Sequence, residues 1–79
     1  MTISAAQCRA ARALLGWSQD DLVAASRVTK STIANFEGGK RQPFDRTLLD
    51  IENALSAAGV IFIAENGEGP GVRLKKDNS

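Results

Sequence analysis

The stretch that most constrains this chain is residues 17–41, WSQDDLVAASRVTKSTIANFEGGKR. Ser18 opens it as a helix cap, with Asp20 and Asp21 in the first turn. A serine hydroxyl accepts from the free amides of a helix start, and acidic residues there suit the positive end of the helix dipole. Leu22, Val23 and Ala25 supply the apolar side of this first segment. The pattern breaks at Ser26-Arg27-Val28, and Thr29 then caps a second segment. Within it Ile33 and Phe36, three apart, share one face, while Lys30, Ser31, Ala34 and Asn35 lie on others. Gly38-Gly39 stops it. The stretch reads as two short helices joined by a tight turn, and the second presents a small, polar and basic side.

The flanks supply a scaffold. Ser4, with Gln7 three residues on, fits a capping box, so a helix is predicted over residues 4–15. Cys8, Ala11, Leu14 and Leu15 mark its buried stripe, Gly16 ends it, and Trp17 anchors the junction that follows. After the central stretch, Asp45 is expected to cap a fourth helix over residues 46–58, with Phe44 and Leu49 forming a hydrophobic staple. Leu48, Ile51, Leu55 and Ala58 keep helical spacing, and Gly59 terminates the helix. The chain then changes character. Residues 60–64, VIFIA, are too short and too β-branched for a helix; residues 65–71, ENGEGPG, are turn-rich; residues 72–75, VRLK, alternate. The predicted fold is mainly α: four helices over residues 1–59, a C-terminal two-stranded β-hairpin over 60–76, and a tail at 77–79.

Composition narrows the function. Seventy-nine residues make one small domain, which buries about 60% of its extended surface and gains from a partner. No apolar run is long enough for a membrane span, the first residues lack the features of a signal peptide, and Cys8 alone cannot build a disulfide framework. A cytoplasmic protein is expected. There is no histidine, no metal-ligand spacing, no phosphate loop and no nucleophile elbow. The expectation is a non-enzyme without metal or cofactor. Net charge is only +1, but residues 27–46 carry five basic side chains (Arg27, Lys30, Lys40, Arg41, Arg46) against Glu37 and Asp45. A local basic surface of this kind suits nucleic acid.

Arg12 to Leu22 (RALLGWSQDDL), Val28-Thr29, Thr32-Ile33 and Phe36-Glu37-Gly38-Gly39 together resemble the phage-repressor-type (Xre/Cro-like) helix-turn-helix family over residues 5–58. The resemblance implies that the third helix enters the major groove of double-stranded DNA, its N-terminal residues toward base edges. Lys30, Ser31 and Asn35 match the base-facing positions, with Thr32 beside them. Lysine can donate to guanine O6 and N7, and asparagine can pair with adenine. Gln19 matches a phosphate-contacting position; Thr29, Lys40 and Arg41 are placed for phosphates too. Arg12 and Glu37 match a partly buried ion pair that ties the first helix to the third. Three departures stand out. Val23 replaces the usual alanine, and Arg27 replaces a frequent glycine in the turn, which in a left-handed conformation costs on the order of 1 kcal/mol. Arg27 is also offered to a phosphate. A hairpin stands where the family commonly has a fifth helix.

A lone hairpin can lay only one face on the helices. Val60, Phe62 and Ala64 point one way and Ile61 and Ile63 the other. The expected cover is a second copy, in a homodimer through Val60, Ile61, Phe62, Ile63, Val72 and Leu74; the alternative is a monomer whose hairpin folds over its own helices. The functional expectation is a sequence-specific transcriptional regulator, a repressor on a pseudo-palindromic operator. The alternative is a protein-binding module, such as an antitoxin or antiactivator, that uses the helices as scaffold.

Overall fold

A computed structural model describes residues 2–76 of the chain, so the tail expected at 77–79 lies outside the described residues. Four helices, α1 (Ala5–Leu15), α2 (Gln19–Ser26), α3 (Lys30–Glu37) and α4 (Asp45–Ala57), precede two strands, β1 (Val60–Ile63) and β2 (Gly71–Leu74). Three helix starts are closed by local side chains. Ser4 Oγ accepts from the Gln7 amide at 3.0 Å while Gln7 Oε1 accepts from the Ser4 amide at 2.9 Å. Ser18 and Asp21 repeat this box at α2, and Thr29 Oγ1 accepts from the Thr32 amide at α3. Gly16 ends α1 at φ 70°.

The core lies between the helices and takes in Ile3, Cys8, Ala11, Leu22, Val28, Ile33, Phe36, Leu48, Ile51, Leu55 and Val60, with Trp17, Val23, Phe62 and Val72 packed against it. β1 and β2 pair antiparallel, Val60 with Leu74 and Phe62 with Val72, so the strands alternate one apolar face toward the helices. Gln7 holds the hairpin down. Only 6% exposed, it donates through Nε2 to the carbonyls of Ile63 (3.3 Å) and Gly71 (3.1 Å).

Several expectations change. The buried stripe of α1 includes Gln7, whereas Leu14 is 42% exposed. The two lie on one flank of α1, two turns apart, and the hairpin covers the Gln7 end. Ala25 is exposed on α2, and Ala58 beyond α4. The cap of α4 is Phe44, without a side-chain cap bond; Asp45 is the first helical residue instead. The staple is absent, since Phe44 and Leu49 are 84% and 52% exposed. Val60, expected at a dimer interface, is 3% exposed and already belongs to its own core. Phe62 and Val72 also lean on that core, while Ile61 and Leu74 are left exposed.

Candidate nucleic-acid interface

The turn between α2 and α3 is tight because three local bonds close it. Ser26 Oγ donates to the Leu22 carbonyl at 2.7 Å and accepts from the Val28 amide at 3.2 Å. The Arg27 amide donates to the Val23 carbonyl at 2.8 Å. Arg27 takes φ 61°, ψ 19°, a left-handed conformation and the one positive φ among described non-glycine residues. Val28 turns into the core. The chain thus leaves α2 and re-enters a helix after three residues, with α3 packed against α2.

α3 buries Ile33, Phe36 and Glu37. Lys30 and Ser31 are exposed, and Thr32, Ala34 and Asn35 are half-buried. The base-facing candidates Lys30, Ser31, Thr32 and Asn35 therefore share the outer side of one short helix. Lys30 Nζ lies 3.1 Å from Asp20 Oδ1, both side chains well exposed. An exposed pair of this kind contributes at most about 1 kcal/mol, so Lys30 is readily released to another acceptor.

Glu37, only 3% exposed, is the anchor of α3. Arg12 grips it with two parallel bonds, Nε to Oε2 at 2.8 Å and Nη2 to Oε1 at 2.7 Å. Gln19 Nε2 donates to Oε1 at 3.1 Å and Cys8 Sγ to Oε2 at 3.1 Å. Arg12 Nη1 also reaches the Trp17 carbonyl, and Arg9, itself exposed, donates to the Glu37 carbonyl. Burial pushes the Glu37 carboxyl upward, but the donors from Arg12, Gln19 and Cys8 outweigh it and hold the group below its ordinary range. Burial and the adjacent carboxylate push the Cys8 thiol well above its usual range, so it stays protonated and serves as a donor. The Glu37 bond raises the pKa of Arg12, against a smaller opposing effect of burial. α1 and α2 thus both fasten the C-terminal end of α3. No local sequence pattern marks Cys8, Arg9 and Gln19 as partners of Glu37, because the bonds span 18 to 29 residues.

After α3 the chain folds back. The amides of Lys40 and Arg41 both donate to the Asn35 carbonyl, at 2.8 and 3.3 Å. Gly39 makes this possible at φ 72°. The return sets Arg41, Gln42, Pro43 and Phe44 beside Ser31, Thr32 and Asn35, around an open groove of about 360 Å³. Arg27, Thr29, Lys40 and Arg41 are exposed around α3, whereas the Gln19 amide group is engaged by Glu37. Phe44, expected to pack against Leu49 in a staple, stands in water instead. The one-residue ambiguity of the α4 start hid its exposure, since an aspartate suits either the cap or the first turn.

Chemically, the outer side of α3 offers an ammonium, two hydroxyls and an amide, flanked by guanidinium and ammonium groups. Among the described residues no cluster of three or more His, Cys, Asp or Glu could hold a metal ion, and no helix is long and apolar enough to cross a membrane. No curated protein matches the chain. A helix-turn-helix family model matches residues 9–56, from the second turn of α1 to the last turn of α4. With that match over more than half its length, the chain belongs to the Xre/Cro-like helix-turn-helix family of DNA-binding regulators.

Proposed function

We propose that the chain is a transcriptional repressor that binds a pseudo-palindromic operator as a homodimer, acting in the cytoplasm by occupying a promoter rather than by catalysis. The observation that carries this is the asymmetry of α3: its inner side is fastened by Ile33, Phe36 and Glu37, and its outer side offers Lys30, Ser31, Thr32 and Asn35. In the major groove Lys30 exchanges Asp20 for guanine O6 and N7, and Asn35 pairs with adenine. Ser31 and Thr32 contact neighbouring base edges. Arg27, Thr29, Lys40 and Arg41 meet phosphates, which fix register without reading sequence. Gln19 joins them at the start of α2 while its amide group supports Glu37.

The homodimer forms through the hairpin. A two-stranded sheet has an open edge on each strand, and such edges template pairing with another chain. Ile61 and Leu74, exposed in the protomer, are the apolar part of that interface, alongside Ile63. Two half-sites then lie about 34 Å apart, one helical turn. The same edges favour a second reading, in which the hairpin captures another protein and the helices repress that protein's own promoter.

The test is binding of the full chain to DNA upstream of its gene, with Lys30→Ala and Asn35→Ala beside the parent. Each variant is expected to fold and to lose preference for the operator over unrelated DNA. Equal preference in both variants would remove these residues as base readers. For the dimer, sedimentation should give twice the chain mass for the parent and a monomer for Ile61→Lys.

A further inference from the structure

Phe44 is the most exposed large apolar side chain among the described residues, with 84% of its surface in water. It packs nowhere in the core, and at the cap position of α4 its side chain makes no cap bond. Yet it sits beside the side of α3 that carries Ser31, Thr32 and Asn35, across a groove of about 360 Å³. The two walls of that groove differ. One is polar and belongs to α3. The other is the loop after α3, where Pro43 and Phe44 supply an apolar surface and Gln42 and Arg41 line the groove beside them.

An apolar wall facing a base-reading wall, with a cation beside them, fits a nucleotide that carries its own apolar group in the major groove. Thymine is that nucleotide: its C5 methyl projects there and separates it from cytosine. Its phosphate supplies the charge that Arg41 complements. We infer that the groove seats one thymidine of each half-site, the methyl against Phe44 and the adjoining phosphate on Arg41. This rests on α3 entering the major groove, and it makes Phe44 a specificity-determining residue outside the recognition helix. A protein segment in the same groove would compete with Ser31, Thr32 and Asn35 for the one surface.

The experiment uses the full chain and its operator, with each thymine replaced in turn by uracil, which lacks only the methyl. One methyl buried against an apolar wall is worth about a fourfold change in affinity. The parent is expected to lose about fourfold at one position of each half-site. Phe44→Ala is expected to bind the thymine operator roughly sixteenfold more weakly, fourfold per half-site, and to be indifferent to uracil at those positions. Because the ring is exposed, the melting temperature stays that of the parent. The slope of log K against log salt also stays unchanged for Phe44→Ala, whereas Arg41→Ala lowers it by about 0.9 per phosphate lost.

A parent indifferent to uracil at every position overturns the inference. So does a Phe44→Ala variant that keeps the uracil penalty, or one that binds DNA as the parent does but no longer self-associates. A parent that prefers no DNA fragment at all overturns the DNA-binding reading together with this inference, and is recognised by the failure of the unmodified operator.

Discussion

Replacing Arg27 by glycine separates two demands that meet at one residue. Arg27 ends α2 at φ 61°, ψ 19°. An L-residue there brings its Cβ toward the following carbonyl oxygen, at about 1–2 kcal/mol. Glycine avoids that contact but loses more backbone freedom on folding, which returns part of the gain. The amide bond from Arg27 to the Val23 carbonyl needs no side chain and survives the change. The expected net is about 1 kcal/mol of stabilisation, or about 4–8 °C in melting temperature for a domain of this size. The side chain itself is exposed and proposed to meet a phosphate. Its loss removes about 0.9 from the slope of log K against log salt for each protomer bound, about fivefold in affinity at 0.15 M salt. Thermal melts followed by circular dichroism and fluorescence anisotropy over a salt series read the two effects separately. An unchanged or lower melting temperature would refute the assignment of strain to Arg27. An unchanged salt slope would refute its phosphate contact.

The Glu37 carboxyl is held below its ordinary value of 4.5, because hydrogen bonds from Arg12, Gln19 and Cys8 outweigh the burial that pushes it up. A group depressed in the folded state contributes stability that is complete above its unfolded value and is lost as pH falls through the folded one. The parent should therefore lose melting temperature more steeply than Glu37→Gln as pH falls below the ordinary carboxyl value of 4.5. At neutral pH Glu37→Gln should cost about 3 kcal/mol, as Arg12 is left without its carboxylate; equal acid slopes for the two proteins would remove Glu37 as the responsible group. Gln7→Leu leaves the carbonyls of Ile63 and Gly71 and the Ser4 amide without their partner, at a cost of about 2 kcal/mol. Hydrogen exchange should accelerate in β1 and β2 ahead of α3, and an unchanged pattern would count against the clip. Phe44→Ser should supply the missing cap of α4 and raise stability by about 1 kcal/mol, read by denaturant midpoint, even as operator binding weakens.

What could be read in the chain beforehand is what short-range chemistry decides. Ser4, Ser18 and Thr29 each satisfy an amide three residues away, so their role as caps is written in a four-residue window. The β-branched run at residues 60–63 and the glycine-rich loop after it likewise announce a hairpin. Features that depend on which surfaces meet were beyond that reach. Gln7 was legible as half of a capping box, but its other hydrogens go to Ile63 and Gly71, 56 and 64 residues away. Leu14 carried the spacing of a core residue and lacked a neighbour to bury it. Asp45 had the chemistry of a cap, and a one-residue shift gave that place to Phe44 and left no staple with Leu49. Around α3, sequence pattern separated inner from outer side chains; the return of the loop onto the Asn35 carbonyl, which builds the groove, had no local signature.

α1 has two fastenings, and their placement has a mechanical consequence. Near its start Gln7 holds the hairpin, and over the next five residues Cys8, Arg9 and Arg12 hold Glu37 at the end of α3. In the proposed homodimer, whatever joins the hairpin to its twin is therefore linked to α3 by one stiff rod. Such a linkage has little compliance to share between two half-sites. One base pair added between them moves a half-site by about 3.4 Å and turns it by about 34–36°. A rigid pair of α3 helices can accommodate neither, so the spacer of the operator should tolerate changes of sequence far better than changes of length.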